Sequence, residues 1–259
     1  MVKRILLPIF MMLITAGQSF ASHPLITDDT GTQTTGKAQL EFVIEYGHDR
    51  EDGASMNSLM APTVPVLSYG ITDTADLVLG ISYLRRETMQ DGMTTTESGI
   101  SDASIQLKWR FHEKDGWSFA LRPGITLPSG DENKGLGNGK ASYTAFFIIT
   151  RDIAPWVFHV NIGFLRNEYK LRLDEEANRK DRWHVSLASQ VDIITGLTAV
   201  ANIGMERNPD KRSNSDPAFL LGGVVYSITE SLDLDAGIKA GLNKPETDIT
   251  YLAGVAKRF

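Results

Sequence analysis

Few side chains in this sequence could do covalent chemistry. A histidine and a serine stand two apart in His184-Val185-Ser186, a spacing at which an imidazole can take the hydroxyl proton and make a nucleophile. The other histidines, His23, His48, His112 and His159, have no metal-ligand spacing. The chain has no cysteine, which excludes thiolate nucleophiles, zinc ribbons and disulfides. The Gly-rich stretch Ser129 to Lys140 lacks the Gly-Lys-Ser/Thr ending of a phosphate loop and follows a strand pattern without leading into a helix, so it reads as a mobile outer loop. Asp28-Asp29 and Asp174-Glu175-Glu176 have the charge to attract divalent cations, although charge runs are more often solvated surface. No metal or cofactor is expected, and with a net charge of -6 and no densely basic stretch, nucleic acid is not an expected partner.

Whether His184 and Ser186 can act depends on the element that carries them. Trp183, Val185, Leu187 and Val191 alternate with His184, Ser186, Gln190 and Asp192, a period of two that only a strand explains. The clearest copy is Ala103 to Phe111, where Ala103, Ile105, Leu107, Trp109 and Phe111 oppose Ser104, Gln106, Lys108 and Arg110. Similar runs cover Gln39 to Tyr46, Trp117 to Leu127, Trp156 to Phe164, Leu197 to Met205 and Leu232 to Leu242. Weaker ones lie at Thr63 to Ile71, Leu77 to Arg85, Tyr143 to Thr150, Ala218 to Ile228 and Thr247 to Phe259, giving about twelve strands. A lipid hydrolase must present its Ser-His pair to lipid. Here the apolar residues claim that face and turn the pair inward, so an outer-membrane lipid hydrolase is the least favoured reading.

The ends supply the compartment. Met1-Val2-Lys3-Arg4 is a basic n-region, the run from Ile5 to Thr15 is apolar, and Ser19-Phe20-Ala21 fits a signal-peptidase site. The expected organisation is a signal peptide over 1–21, with an uncleaved anchor as the alternative. A periplasmic lead-in or plug over 22–36 and a barrel over 37–259 follow it. Past Ala21 no apolar stretch is long enough to cross a membrane as a helix, so any insertion must use strands.

Connections alternate in length. Thr72-Asp73-Thr74, His112 to Gly116, Arg151 to Pro155, Ile193 to Gly196 and Thr229 to Ser231 are short. Between them Gly47 to Ser58, Arg86 to Gly99, Ser129 to Lys140, Arg166 to Arg182 and Arg207 to Pro217 are long and polar. Short periplasmic turns and longer extracellular loops are the asymmetry of a transmembrane antiparallel up-and-down β-barrel in the bacterial outer membrane. A soluble β-sandwich or lipocalin-like barrel is the competing fold, since alternation alone does not tell inside from outside. On the membrane reading, Trp109, Phe111, Trp117 and Trp156 form an inner aromatic girdle, and Tyr46, Tyr83, Phe164 and Trp183 an outer one. Phe259, a terminal aromatic in phase with Val255 and Tyr251, has the form of the signal read by outer-membrane assembly machinery. Outer-membrane lipid and lipopolysaccharide are then the surroundings.

The inward face so phased carries Glu41, Glu45, Gln106, Lys108, Arg110, Arg122, His159, Asn161, His184, Gln190, Asp192, Asn202, Glu206, Asp233, Asp235 and Lys239. Interleaved glycines, among them Gly163, Gly204, Gly223 and Gly237, are expected to leave lumen volume. These charges either line a path for a solute or pair with one another to keep the interior closed. The leading expectation is a passive channel or binding barrel for small, aromatic or hydrophobic molecules, with no catalysis. The alternative is a structural or envelope-interaction barrel with a filled lumen.

Three stretches resemble one family. They are His23 to Thr32 (HPLITDDTGT) leading into Gln39-Leu40-Glu41, Gly99-Ile100-Ser101-Asp102 before a strand ending Trp109-Arg110-Phe111, and Leu121 to Asp131 (LRPGITLPSGD) followed by Lys134-Gly135-Leu136-Gly137. They are similar to the outer-membrane proteins grouped as the MetA pathway of phenol degradation, and the resemblance spans nearly the whole mature chain. It implies a barrel tied to the uptake or handling of aromatic compounds and carries over no catalytic residue.

Overall fold

The computed structural model describes residues 23–51, 54–90 and 92–259; the signal peptide expected over 1–21 lies outside them. Thirteen strands run in chain order: β1 (Ala38–Glu51), β2 (Ala54–Thr72), β3 (Ala75–Gln90), β4 (Met93–Ile100), β5 (Ala103–Lys114), β6 (Trp117–Leu127), β7 (Ser142–Ile153), β8 (Trp156–Arg166), β9 (Asp181–Ile194), β10 (Leu197–Glu206), β11 (Ala218–Thr229), β12 (Leu232–Gly241) and β13 (Ile249–Arg258). All pairings are antiparallel, and β1 pairs with β13 from Gln39↔Arg258 to His48↔Ile249, which closes the ring. The outer part of β3, Tyr83 to Gln90, pairs with β4, and its inner part, Ala75 to Gly80, pairs with β5. β4 and β5 therefore share one place in the wall, interrupted at Ser101-Asp102, and the barrel is twelve-stranded. Closure satisfies the backbone of the wall without an edge in lipid.

Accessibility fixes the phase. In β9, Trp183, Val185 and Leu187 are exposed while His184, Ser186 and Ala188 are buried. The other strands repeat this, with Phe42, Ile44, Trp109, Ile162, Phe164, Ile203 and Tyr251 outward. A soluble barrel buries such residues; an apolar outer belt around a polar interior belongs in a bilayer. The soluble alternative falls on that observation.

At one end β-strands meet in two-residue turns: Asp73-Thr74, Asp115-Gly116, Ala154-Pro155, Thr195-Gly196 and Glu230-Ser231. Asp115 and Gly116 both hold positive φ, 52° and 75°, the pair a type I′ hairpin requires. The opposite end carries a 3₁₀ turn at Glu132–Lys134 and the six-residue α1 (Arg172–Ala177).

Two expected loops are strand instead. β1 runs on through Glu51 and β2 already begins at Ala54, while β3 extends to Gln90 and pairs there with β4 from Met93. Above the membrane both faces of a strand meet water, so the hydropathy alternation that marks the wall vanishes while the Thr-rich backbone pairing continues. The β1–β2 ladder is irregular between Glu41↔Val66 and Glu45↔Met60, beside Pro62 and Pro65, which have no N–H to donate.

Candidate functional site: a polypeptide strap across the lumen

Residues 23–37 do not hang below the barrel. Residues 23–33 cross its interior, where Thr27, Asp28, Asp29, Thr30, Thr32 and Gln33 are all buried, and 34–37 lie exposed beside the β2–β3 turn. Lacking secondary structure, this stretch must hydrogen-bond its backbone to the wall, and inward side chains of seven strands and one turn hold it. The Thr35 hydroxyl donates to Asp73 Oδ1 in the β2–β3 turn at 2.6 Å, and Gln33 N donates to both oxygens of Asp76 on β3, at 3.0 and 2.9 Å. Thr30 N donates to Thr150 Oγ1 on β7 at 3.1 Å, and its hydroxyl lies 2.5 Å from Ser118 Oγ on β6. Asn161 on β8 grips Asp28 twice, accepting from its N–H and donating to its carbonyl, both at 2.8 Å. Asn202 on β10 accepts from Ile26 N at 2.8 Å and Thr27 N at 3.0 Å and donates to the Thr27 hydroxyl at 2.7 Å. On β12, Asp235 meets His23.

The centre of the strap is ionic. Lys108 Nζ on β5 lies 3.0 Å from Asp28 Oδ1 and 3.2 Å from Asp29 Oδ1, and Arg122 Nη1 on β6 lies 2.5 Å from Asp28 Oδ2. Burial raises the Asp28 carboxyl pKa, but the two cations outweigh it and hold the group below the usual carboxylate value. Asp28-Asp29 is thus neither a solvated charge run nor a divalent-cation site. Its second end is apolar: Leu25 packs with Ala188, Val200, Phe219, Leu221, Val225 and Leu252. That inner apolar patch is hidden in the sequence because β11 is apolar on both faces, with Leu220 and Val224 outward and Leu221 and Val225 inward.

Four interior glycines are covered, whereas Gly80 borders open volume. A Cβ on Gly223 or Gly237 would lie 2.8 Å from Pro24 Cγ and 3.0 Å from Pro24 Cβ respectively. The Phe146 ring covers Gly163 and the Phe219 ring covers Gly204. Among the described residues, two cavities are walled by the strap. One, of 230 Å³, lies along β1, β2, β3 and β5 and is bounded by Asp28, Glu41, Asp76, Gln106, Lys108 and Arg122. The other, of 310 Å³, sits at the turn end against Asp29, Thr30, Arg110, His159, Gln190 and Asp192.

Of the inward residues named from the sequence, Lys108, Arg122, Asn161, Asn202 and Asp235 meet on the strap, while most others pair within the wall. His159 lies between Thr150 and Gln190, Asp192 accepts from Thr198 at 2.6 Å, Arg110 pairs with Glu113 at 3.2 Å, Lys239 with Glu246 at 2.7 Å and Asp233 with Arg258 at 2.6 Å. Glu41 accepts from Gln39 at 2.8 Å, and Glu45 is half-buried on the inner side of β1. His184 Nε2 lies 3.0 Å from Ser186 Oγ, and Glu206 Oε2 lies 3.4 Å from His184 Nδ1. This has the order of an acid-base-nucleophile relay, yet Ser186 is 1% exposed and borders neither cavity. Asp73, Asp76, Ser118 and Thr150 were missed as strap partners. Asp76 shares the inward phase with Val78 and Gly80, and its two oxygens accept from Gln33 N of the strap.

The eight aromatics Tyr46, Tyr83, Trp109, Phe111, Trp117, Trp156, Phe164 and Trp183 are all exposed on the outer surface, as is Phe259. At the opposite end of the barrel from the two-residue turns, the loop 129–140 is fastened where a mobile one was expected. Asp102, in the break between β4 and β5, accepts from Gly130 N and Asn138 N at 2.9 Å each, and Leu136 is buried. Asp174-Glu175-Glu176 lies in α1, where Glu175 pairs with Lys180 at 2.7 Å and Glu176 with Arg172 at 2.7 Å.

Residues 16–259 match the family model described as "Putative MetA-pathway of phenol degradation". The chain belongs to that family. Among solved structures, this MetA-pathway family member is similar to the COG4313 outer membrane channel from Pseudomonas putida F1, with a TM-score of 0.67 and 12% identity over 89% of this chain and 98% of that one. It is also similar to the NanC porin, at 0.54 and 11% over 85% and 98%, and to the translocator domain of the autotransporter NalP from Neisseria meningitidis, at 0.51 and 8% over 88% and 90%. At such identities the likeness is one of fold. No curated protein matches the chain.

Proposed function

We propose that this MetA-pathway family member is a passive outer-membrane channel or binding barrel for small molecules, with the strap at 23–37 as the plug that closes it. The observation that carries this reading is that the two cavities are parted by a polar segment of chain and not by the barrel wall. The strap is fastened mainly by hydrogen bonds and ion pairs, contacts that incoming water and solute can replace. Val66, Val78 and Ile81 give the otherwise polar 230 Å³ cavity one apolar strip against which the body of a small solute can lie. The outward aromatics set the depth of the barrel in the bilayer, and Phe259 serves assembly.

The test is planar-bilayer conductance of the folded barrel and of a variant lacking residues 23–33. The deletion is expected to raise single-channel conductance several-fold. Equal and negligible conductance in both proteins would instead favour a structural barrel whose lumen stays filled. The hydrolase reading predicts fatty-acid release that is lost on Ser186→Ala; the burial of Ser186 gives the expectation of no release from either form.

A further inference from the structure

We infer that Lys108 and Arg122 form a binding site for the carboxylate of a small monoanionic solute, and that Asp28 occupies it in the closed barrel as a tethered stand-in. This deepens the channel reading and rests on it for its role in passage. Each oxygen of Asp28 takes one cation, Lys108 Nζ at 3.0 Å and Arg122 Nη1 at 2.5 Å, the charge-assisted pattern that any free carboxylate can reproduce. The cations stand on adjacent strands of the closed wall, and the Phe146 ring, with Arg122 Cζ 5.3 Å from its centroid, helps to fix one of them. The anion, by contrast, stands on a strap without secondary structure. Asp28, Lys108 and Arg122 all border the 230 Å³ cavity, so a solute held there lies beside both cations.

The walls of that cavity narrow the solute class. Val66, Val78 and Ile81 can cover a compact apolar body. Glu41 and Asp76 on β1 and β3, Asp102 beside the wall break, and Asp29 at 3.2 Å from Lys108 oppose a second negative charge. A monocarboxylate with a small apolar or aromatic body therefore fits better than a neutral alcohol or a dianion. If the Asp28 carboxylate leaves without a replacement, Arg122 loses its carboxylate and Lys108 keeps only Asp29, which is unfavourable in so dry a place. An incoming carboxylate removes that cost, so solute binding and strap release are coupled and reciprocal.

The experiment uses the full folded barrel and three probes: benzoate, benzyl alcohol as its neutral analogue and phthalate as a dianion. By calorimetry, Asp28→Asn is expected to bind benzoate about tenfold more tightly than the parent. Adding Lys108→Gln and Arg122→Gln is expected to abolish that binding. Because the chain has no cysteine, a nitroxide on Gly31→Cys reports the strap with Asp28 intact, and benzoate should mobilise it while benzyl alcohol and phthalate do so far less. This second readout decides the matter if Asp28→Asn does not fold. Equal benzoate affinity with and without Asp28, binding that survives loss of both cations, or equal mobilisation by benzyl alcohol would each overturn the assignment. Benzoate binding in a barrel that never conducts would uphold the site and remove only the transport reading.

Discussion

The outer and inner surfaces of this barrel are cut from the same strands, yet they obey different rules. Outside, Ile162, Phe164, Val185, Leu187, Ile203 and Tyr251 lie roughly half-exposed in a repeating stripe, and any similar apolar residue would serve, because lipid asks only for low polarity. Inside, the polar residues that hold the strap have particular partners: Asn161 for the two backbone groups of Asp28, Asn202 for Ile26 and Thr27, Lys108 for a pair of carboxylates. The difference teaches where mutation acts. Changes to the outer surface should alter insertion and stability, and changes to the inner surface should alter the strap while the wall persists.

The sharpest way to break this contrast is a charge in the lipid belt. Val224→Arg, placed midway along β11 on the outward side, should destabilise the barrel by about 2–4 kcal/mol, read from urea-dependent unfolding in vesicles. A smaller effect is expected from Asn161→Leu, which orphans the Asp28 N–H and carbonyl and should cost about 1–3 kcal/mol. Its signature is higher conductance and faster proteolysis near residue 28, with the wall intact; a loss of the whole barrel would erase the proposed division of labour.

Acid should loosen the strap without melting the wall. The Asp28 carboxyl is held below its ordinary value in the docked strap, so its contribution is complete above the ordinary aspartate pKa of 3.8 and is lost as pH falls through the lower docked value. Conductance should therefore rise only below about pH 4, and Asp28→Asn should flatten that rise. The smallest effect belongs to Leu173→Ser on α1, where the side chain is 80% exposed; stability should stay within about 0.5 kcal/mol, and a larger change would mean that the outer loops carry a contact with the wall.

Legibility followed the same division. The inward phase of His184, Asn161 and Lys108 could be read from their apolar neighbours, and so could the turn at Asp115-Gly116. The role of Asp28-Asp29 could not, because nothing in HPLITDDTGTQ distinguishes a solvated tail from a segment whose backbone is held by the side chains of a surrounding wall. Nor could the extension of β3 and β4 above the membrane, where water on both sides removes the period.

By itself the sequence determined the wall: a period of two is written within each strand, since lipid and lumen select residues one position at a time. What fills the lumen is set by contacts between residues far apart in the chain. Asp28 meets Lys108 across 80 positions and Asn161 across 133, and His23 meets Asp235 across 212. Such meetings depend on ring closure, which brings β5, β6, β8, β10 and β12 around a single aperiodic segment.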